Sequence, residues 1–126
     1  MGLLDGLLGN ASDIDIDEIT EELEPLLCDR EQVRLAFQVI RDKYVFTDLR
    51  LILIDVQGMT GKKREYLSIP YKSITRFSVE TSGHFDMDSE LKLWLSGSDM
   101  PMVKEFKGGE NIINVQKALA AGMFGK

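Results

Sequence analysis

The sequence offers few side chains for chemistry, and the first to consider is a basic run after a glycine-containing turn. Lys62, Lys63 and Arg64 follow Gly58 and Gly61 in the segment GMTGKKR. A Walker phosphate loop needs four residues between its glycines and a Ser or Thr after its lysine. Here two residues separate the glycines, and a second lysine follows the first. The spacing therefore predicts a hairpin turn rather than a nucleotide-binding loop.

Two sets of carboxylates have a spacing that suits a hard cation such as Ca²⁺. They are Asp13, Asp15, Asp17 and Glu24 near the N-terminus, and Asp86, Asp88 and Glu90 in the second half of the chain. The first set lacks the glycine that an EF-hand requires, because Glu18 stands at that position. We interpret it as the start of a helix, where acidic residues complement the helix dipole. We interpret the second set as a turn held by carboxylate hydrogen bonds, so we expect no metal site.

Nucleophilic catalysis has little to draw on, because the chain contains one cysteine, Cys28, and one histidine, His84. A single cysteine excludes an intramolecular disulfide, and a single histidine excludes a His-rich metal site. A catalytic triad would need His84 beside a nucleophile on a sharp turn, and the sequence around it shows no such motif. We expect neither enzymatic activity nor a cofactor.

The composition indicates a single globular domain. The chain has 126 residues, of which 44% are hydrophobic and 29% charged. Its 15 Lys and Arg against 21 Asp and Glu leave a net charge of -6, which disfavours nucleic acid as a partner. The N-terminus lacks the basic region of a secretory signal, and no apolar run reaches the roughly 18 residues of a membrane span. These features predict a cytoplasmic protein.

The first part of the chain reads as a helix with a leader. Ile16, Ile19 and Leu23 recur with the 3.6-residue period of a helix, and Pro25 should end that helix just before it. Ahead of the helix, apolar residues recur at helical spacing at Leu3, Leu4, Leu7 and Leu8. Because interspersed glycines make so short a helix unstable alone, this leader is either unstructured or ordered by a partner.

From Gln32 onward the period changes to two, which indicates strands. The first strand is predicted to be half-buried, with one apolar face formed by Val33, Leu35, Phe37 and Val39. The segment LILIDV over residues 51–56 is apolar on both faces, which is typical of a central strand. Pro70 is expected to interrupt its strand.

Seven strands and a closing helix complete the pattern. The strands are expected over residues 32–40, 44–47, 51–56, 65–69, 74–81, 91–95 and, at an edge, 102–107. Their short connections make them antiparallel. An amphipathic helix with Asn111 or Gly109 as its N-cap follows. We therefore divide the chain into a leader and helix over residues 1–30 and a mainly β barrel or sandwich over 31–126.

Several segments of the β region resemble the bacterial pleckstrin-homology-like family, formerly a domain of unknown function. They are YVFTDLR (44–50), LILIDVQGMTGKK (51–63), EYLSIPYKSI (65–74) and FSVETSGHFDMDSELKLWL (77–95). The resemblance implies a PH-like fold of two sheets closed by a C-terminal helix. It also implies a protein without enzymatic activity that forms ring-shaped homo-oligomers, and it leaves the ligand undefined.

The resemblance gives the basic residues a second interpretation. In PH-like folds two loops open at one end, which would bring Arg41 and Lys43 close to Lys62, Lys63 and Arg64. Eukaryotic PH domains hold phosphoinositide head groups in that region, and several donors converging on one anion suit phosphate. The alternative is a solvated loop. Eight of the 21 acidic residues precede Pro25, so the rest of the chain has 13 acids and 15 bases. The acidic segment is thus a candidate cover for these loops.

Exposed apolar residues point to a protein interface. Tyr66 and Trp94 are predicted on strand faces opposite the apolar residues, and Met102 lies on the edge-like strand. Aromatic residues of this kind anchor interfaces, and the leader leucines Leu3, Leu4, Leu7 and Leu8 would add to one. The function we expect first is a homo-oligomeric interaction scaffold with a further protein partner. The alternative is binding of an anion or of lipid head groups at a membrane surface.

Overall fold

The computed structural model of the chain describes residues 13–84, 87–108 and 111–125. Within these ranges it contains seven β-strands, two α-helices and one 3₁₀ helix. In chain order they are α1 (Ile16–Leu23), β1 (Val33–Val39), β2 (Asp42–Thr47), β3 (Arg50–Gln57), β4 (Lys63–Pro70), the 3₁₀ helix (Tyr71–Ser73), β5 (Ile74–Thr81), β6 (Ser89–Leu95), β7 (Met102–Phe106) and α2 (Ile112–Phe124). The predicted strands and both predicted helices are confirmed.

The strands form two antiparallel sheets. The order in the first sheet is β1-β2-β3-β4 and in the second β5-β6-β7. Several predicted boundaries were wrong, and β4 and β6 each begin two residues earlier than predicted, at Lys63 and Ser89. β2 already begins at Asp42, which pairs with Val39, so only a tight turn separates β1 from β2. β4 runs through Pro70, which pairs with Arg50, because a proline at the end of an edge strand is tolerated. No helix in the described ranges is long and apolar enough to cross a membrane.

The main core lies between the two sheets and includes one face of α2. Phe37 packs edge-to-face on Phe46 with ring centroids 6.0 Å apart, and Tyr44 packs on Phe106 at 5.5 Å. Such arrangements are favourable for aromatic pairs. The helix contributes four buried residues to the same cluster, Ile112, Val115, Ala118 and Leu119. The C-terminal helix is therefore part of the core.

A second cluster lies on the outer face of the first sheet, under α1. Ile19 and Leu23 of the helix are almost completely buried against Val45, Ile52 and Ile54. This contact explains why residues 51–54 are apolar on both faces: one side meets the second sheet and the other meets α1. The prediction that β1 is half-buried was also wrong, because α1 covers Ala36 on the outward face of that strand.

A β-bulge changes the predicted face of one core residue. The register of β1 against β2 shifts between Val33 and Leu35, and a bulge of this kind reverses the alternation of side chains beyond it. Val33 consequently packs with the α1 cluster, while Leu35 and Phe37 face the main core. The predicted common face of Val33 and Leu35 was wrong, because alternation alone cannot show an extra residue in a strand.

Specific contacts hold α2 at both ends. Of the two predicted N-cap candidates, Asn111 is the N-cap, but its side chain does not cap the helix. Its Nδ2 donates instead to Asp13 Oδ2 at 2.7 Å and to the Gln38 carbonyl at 2.8 Å. Near the other end, a Cβ atom added to Gly122 would lie 2.6 Å from the Tyr71 ring. Glycine at this position therefore lets α2 approach the 3₁₀ helix.

A buried carboxylate connects the segment after α1 to the first sheet. The side chain of Glu31 has no exposed surface. Its Oε1 accepts from the Cys28 amide at 2.9 Å and from Arg50 Nη2 at 2.8 Å. Its Oε2 accepts from the Thr47 hydroxyl at 2.7 Å and from Arg50 Nε at 2.9 Å. These bonds, chiefly those from Arg50, hold the pKa of Glu31 at about 2 although burial opposes that shift.

Arg50 extends this connection to two further elements. Its Nη2 donates to the Leu26 carbonyl at 2.7 Å, and its Nη1 donates to the Ser68 hydroxyl at 3.0 Å. The hydroxyl of Tyr71 joins the same region by donating to the Thr47 carbonyl at 2.6 Å. A paired and fully hydrogen-bonded ion pair of this kind is costly to break from one side. It ties the segment after α1 to β2, β3 and β4.

Glu31→Gln tests this connection. The pKa of Glu31 is about 2 in the folded chain against 4.5 for a freely exposed glutamate, so its charge stabilises the fold above pH 4.5. That contribution, about 3 kcal/mol, should disappear as the pH falls from 4.5 toward 2. Urea unfolding at several pH values should show a less stable Glu31→Gln variant with a flatter pH dependence. Glu21→Gln, at an exposed position, should keep the wild-type dependence of unfolding free energy on pH. A wild-type dependence in Glu31→Gln would contradict the role assigned to Glu31.

Candidate anion-binding end of the first sheet

The five basic residues predicted to bind an anion lie at one end of the first sheet. We call them the basic end: Arg41, Lys43, Lys62, Lys63 and Arg64. Gly58 and Gly61 shape the β3–β4 loop with φ of 77° and 70°, a region that glycine adopts freely. Arg41, from the β1–β2 turn, donates from Nη2 to the Gly58 carbonyl at 2.7 Å. The antiparallel order therefore brings the two loops together.

A carboxylate from α1 lies among three hydrogen-bond donors at this end. Glu22 Oε1 is 3.2 Å from Lys43 Nζ, and its Oε2 accepts from Arg64 Nη1 at 2.9 Å and from the Tyr66 hydroxyl at 3.2 Å. Lys43 on β2 and Tyr66 on β4 both pair with Ile54 of β3, and Ile54 faces α1, so the two strands that flank β3 present these donors toward the helix. We call the group the Glu22 junction: Glu22, Lys43, Arg64 and Tyr66.

The Glu22 junction is only partly shielded from water. The side chains of Glu22, Lys43 and Arg64 are 27%, 24% and 35% exposed. Burial, with a further contribution from the charge of Glu22, raises the pKa of Tyr66 above its usual range. The expectation that the acidic segment covers the basic loops holds at Glu22, which neutralises two of the five basic residues.

The tips of both loops carry exposed apolar residues. Met59 in the β3–β4 loop is fully exposed, and Ile40 in the β1–β2 turn is 47% exposed. Ile40 also has a φ of 57°, which is unusual for a β-branched residue. Lys62 in the same loop and Lys63 at the start of β4 are both exposed. This end of the molecule therefore presents apolar tips beside exposed cations.

The predicted interface residues lie in different environments. Trp94 is half-buried on the outer face of the second sheet, with Arg76 Cζ 4.4 Å from its ring centroid. Met102 on β7 packs partly against the main core. Tyr66 is 38% exposed, and its hydroxyl belongs to the Glu22 junction. The leader leucines Leu3, Leu4, Leu7 and Leu8 lie outside the described residues.

Where they are described, the carboxylate sets contribute a helix cap and a long-range bond to the segment after β7. Asp15 is the N-cap of α1 and accepts from the Asp17 amide at 2.9 Å, as predicted for the first set. Asp88 accepts from the Gly108 amide at 2.8 Å, whereas Asp86 lies outside the described residues. Among the described residues no group of three His, Cys, Asp or Glu could hold a metal ion.

Tertiary pairing creates an acidic pocket that sequence reasoning missed. Glu80, Glu90 and Glu105 occupy paired positions across β5, β6 and β7. They line a pocket of about 440 Å³, together with Thr81, Ser82, Asp88, Ser89, Phe106 and Lys107. Glu22 and Tyr66 were also missed as partners of the basic end. One feature of the sequence could have indicated the contacts of Glu22. Glu22 lies three residues after Ile19, so the two share the side of α1 that faces the sheet.

The architecture defines the class of this protein. Four-stranded and three-stranded antiparallel sheets followed by a core-packing C-terminal helix form a pleckstrin-homology-like domain, here with an additional N-terminal helix. The family described as Bacterial PH domain matches residues 2–123, and the chain belongs to this family. The predicted family and fold are thereby confirmed.

Similar proteins extend over nearly the whole chain. Uncharacterized protein YjqA of Bacillus subtilis is 59% identical over 122 residues, which cover 96% of this chain and 98% of that protein. The crystal structure of a pleckstrin homology domain from Shewanella amazonensis matches with a TM-score of 0.85 and 54% identity, covering 98% and 99% of the two chains. A DUF1696 family protein with a pleckstrin-homology domain from Shewanella loihica matches with a TM-score of 0.76 and 54% identity, covering 90% and 97%.

Substitutions at neighbouring positions of α1 should separate its two kinds of contact. We expect Glu22→Ala to lower the free energy of unfolding by less than about 1 kcal/mol, because partly exposed ion pairs contribute little. Leu23→Ala should cost about 2–5 kcal/mol, since it empties a buried position. Urea unfolding followed by Trp94 fluorescence measures both. An equal cost for the two would show that polar contacts hold α1 as firmly as apolar ones, contrary to this assignment.

Proposed function

We propose that the protein is a non-enzymatic cytoplasmic module that attaches to anionic lipid surfaces through its basic end. One observation carries the proposal: the loop tips present exposed Ile40 and Met59 beside exposed Lys62 and Lys63. Binding at a membrane interface combines apolar burial at head-group depth with attraction to anionic lipid. Domains of this family are typically non-catalytic, which agrees with a binding role.

The backbone at Ile40 supports this interpretation. A φ of 57° is strained for a β-branched side chain, and strained residues are concentrated at functional sites. The turn holds this isoleucine 47% exposed at the tip. A residue without a role there could be glycine or asparagine at lower cost. An apolar contact with a membrane would give the exposed side chain a role.

The negative net charge does not oppose this function. The charge of -6 owes much to the acidic residues before Pro25. In physiological salt the field of an exposed charge falls off over about 8 Å. Lys62 and Lys63, where the β3–β4 loop enters β4, are therefore attracted to a nearby anionic surface more strongly than the net charge suggests.

Charge reversal in the β3–β4 loop tests lipid attachment. The full chain should co-sediment with phosphatidylcholine vesicles that contain phosphatidic acid, and not with phosphatidylcholine alone. Each lysine near an anionic surface contributes about 1 kcal/mol, so the double variant Lys62→Glu and Lys63→Glu should bind at least about tenfold more weakly. Lys72→Glu with Lys117→Glu is the matched control. These residues change the net charge equally but lie in the 3₁₀ helix and α2.

Two assays of one further variant, vesicle binding and phosphate binding, show whether the anion belongs to a lipid surface or is free phosphate. Met59→Asp should weaken vesicle binding and leave the binding of inorganic phosphate, measured by calorimetry, unchanged. Equal losses in the loop variant and its matched control would mean that net charge alone drives binding, against the proposal. Failure of the unmodified protein to sediment with anionic vesicles would overturn it.

A homo-oligomeric scaffold is the second candidate function, and the second sheet favours it. The outward residues of this sheet are exposed or half-buried, including Trp94 and Val103. Among the described strands, β7 pairs with β6, and its other edge has no strand beside it. An edge strand with an exposed valine and a nearby indole suits contact with a second copy of the chain.

Light scattering at micromolar concentration tests self-association. The full chain should have a mass above that of the monomer, and Val103→Asp should lower it because a charge would face the second copy. Met59→Asp introduces the same charge at the other surface and should leave the mass unchanged. A monomeric wild-type chain would contradict the scaffold function, and so would equal effects of the two variants.

A further inference from the structure

We infer that Lys43, Arg64 and Tyr66 form an anion cradle whose resident occupant is the Glu22 carboxylate, which a lipid phosphate must displace. This inference rests on the proposed lipid-binding function and identifies the positions at which that function is controlled. The three donors belong to β2 and β4, and they converge on one carboxylate at 3.2, 2.9 and 3.2 Å. Two cations and a hydroxyl around a pair of anionic oxygens form a donor set that suits a phosphate monoester.

The cradle remains in place when its occupant leaves. Lys43 lies on β2 and Tyr66 on β4, and both strands are hydrogen-bonded to β3. The backbone positions of the two residues therefore do not depend on Glu22. The helix is held by Ile19 and Leu23, which are 1% and 0% exposed, and by the bonds of Glu31 to the following segment. Release of the carboxylate thus requires a change of the Glu22 rotamer and no movement of α1. The side chain of Glu22 is 27% exposed, which leaves it room to turn toward water.

Glu22 acts as an internal competitor. A ligand that needs the cradle binds only the fraction of molecules in which the carboxylate has turned away, so its apparent affinity is lowered by that fraction. Lys62 and Lys63 lie outside the Glu22 junction and stay exposed. They can make the first contact with an anionic surface, after which a phosphate displaces Glu22 from Lys43 and Arg64. Binding in this order makes attachment depend on the density of anionic lipid.

The test compares two glutamates of the same helix. Glu22→Ala removes the occupant, and Glu21→Ala removes the same charge from an exposed position of α1. The probe is phosphatidylcholine vesicles containing phosphatidic acid, with inorganic phosphate as the soluble arm. Glu22→Ala should bind about two- to fivefold more tightly than Glu21→Ala. Adding Arg64→Gln to Glu22→Ala should abolish that gain.

The outcomes separate this inference from the proposed function. If the wild-type chain binds anionic vesicles but Glu22→Ala and Glu21→Ala bind equally, the cradle is overturned while lipid attachment stands. If the gain persists after Arg64→Gln, the donors are not those of the cradle and the inference fails. If neither the wild-type chain nor Glu22→Ala binds, lipid attachment itself is overturned. A gain in the phosphate arm as well as in the vesicle arm supports recognition of the phosphate group itself.

Discussion

The buried ion pair between Glu31 and Arg50 is the interaction on which the arrangement of the molecule depends. Both oxygens of Glu31 are used, and the same guanidinium reaches the Leu26 carbonyl and Ser68. The pair fixes the chain between α1 and β1, and thereby directs the helix back across the outer face of the first sheet. Its hydrogen bonds, above all those from Arg50, keep the buried carboxylate ionised and hold its pKa at about 2 although burial opposes that shift.

The position of α1 then joins two layers of the molecule. Its apolar side completes a second core beneath the first sheet, and this burial is worth far more than any partly exposed ion pair. Its polar edge carries Glu22 to the basic end, where three donors meet the carboxylate. The helix can therefore stay fixed while one of its side chains exchanges with another anion. Structure and regulation rest on different residues of the same helix.

Much of the fold was predictable because local periodicity reports which face of an element is buried. The strands, the edge position of β7 and both helices followed from that signal. The errors came from features that periodicity does not record. A bulge reversed the face of Val33, and α1 buried an alanine on the outward side of β1. At the basic end, the meeting of the two loops was implied by the resemblance to PH-like folds. The contacts of Glu22 were not, because its partners lie more than twenty positions away.

The sequence by itself determined an antiparallel β pattern closed by a helix, the separation of an acidic N-terminal segment from a slightly basic β region, and a supply of one cysteine and one histidine. These properties are sums or periods along the chain, and they need no coordinates. Only the tertiary structure decided which charges are neutralised and which are exposed. An ion pair depends on distance between side chains, and here the distances are set by how α1 packs on the first sheet. That packing leaves Lys62 and Lys63 exposed and places Glu22 against Lys43 and Arg64.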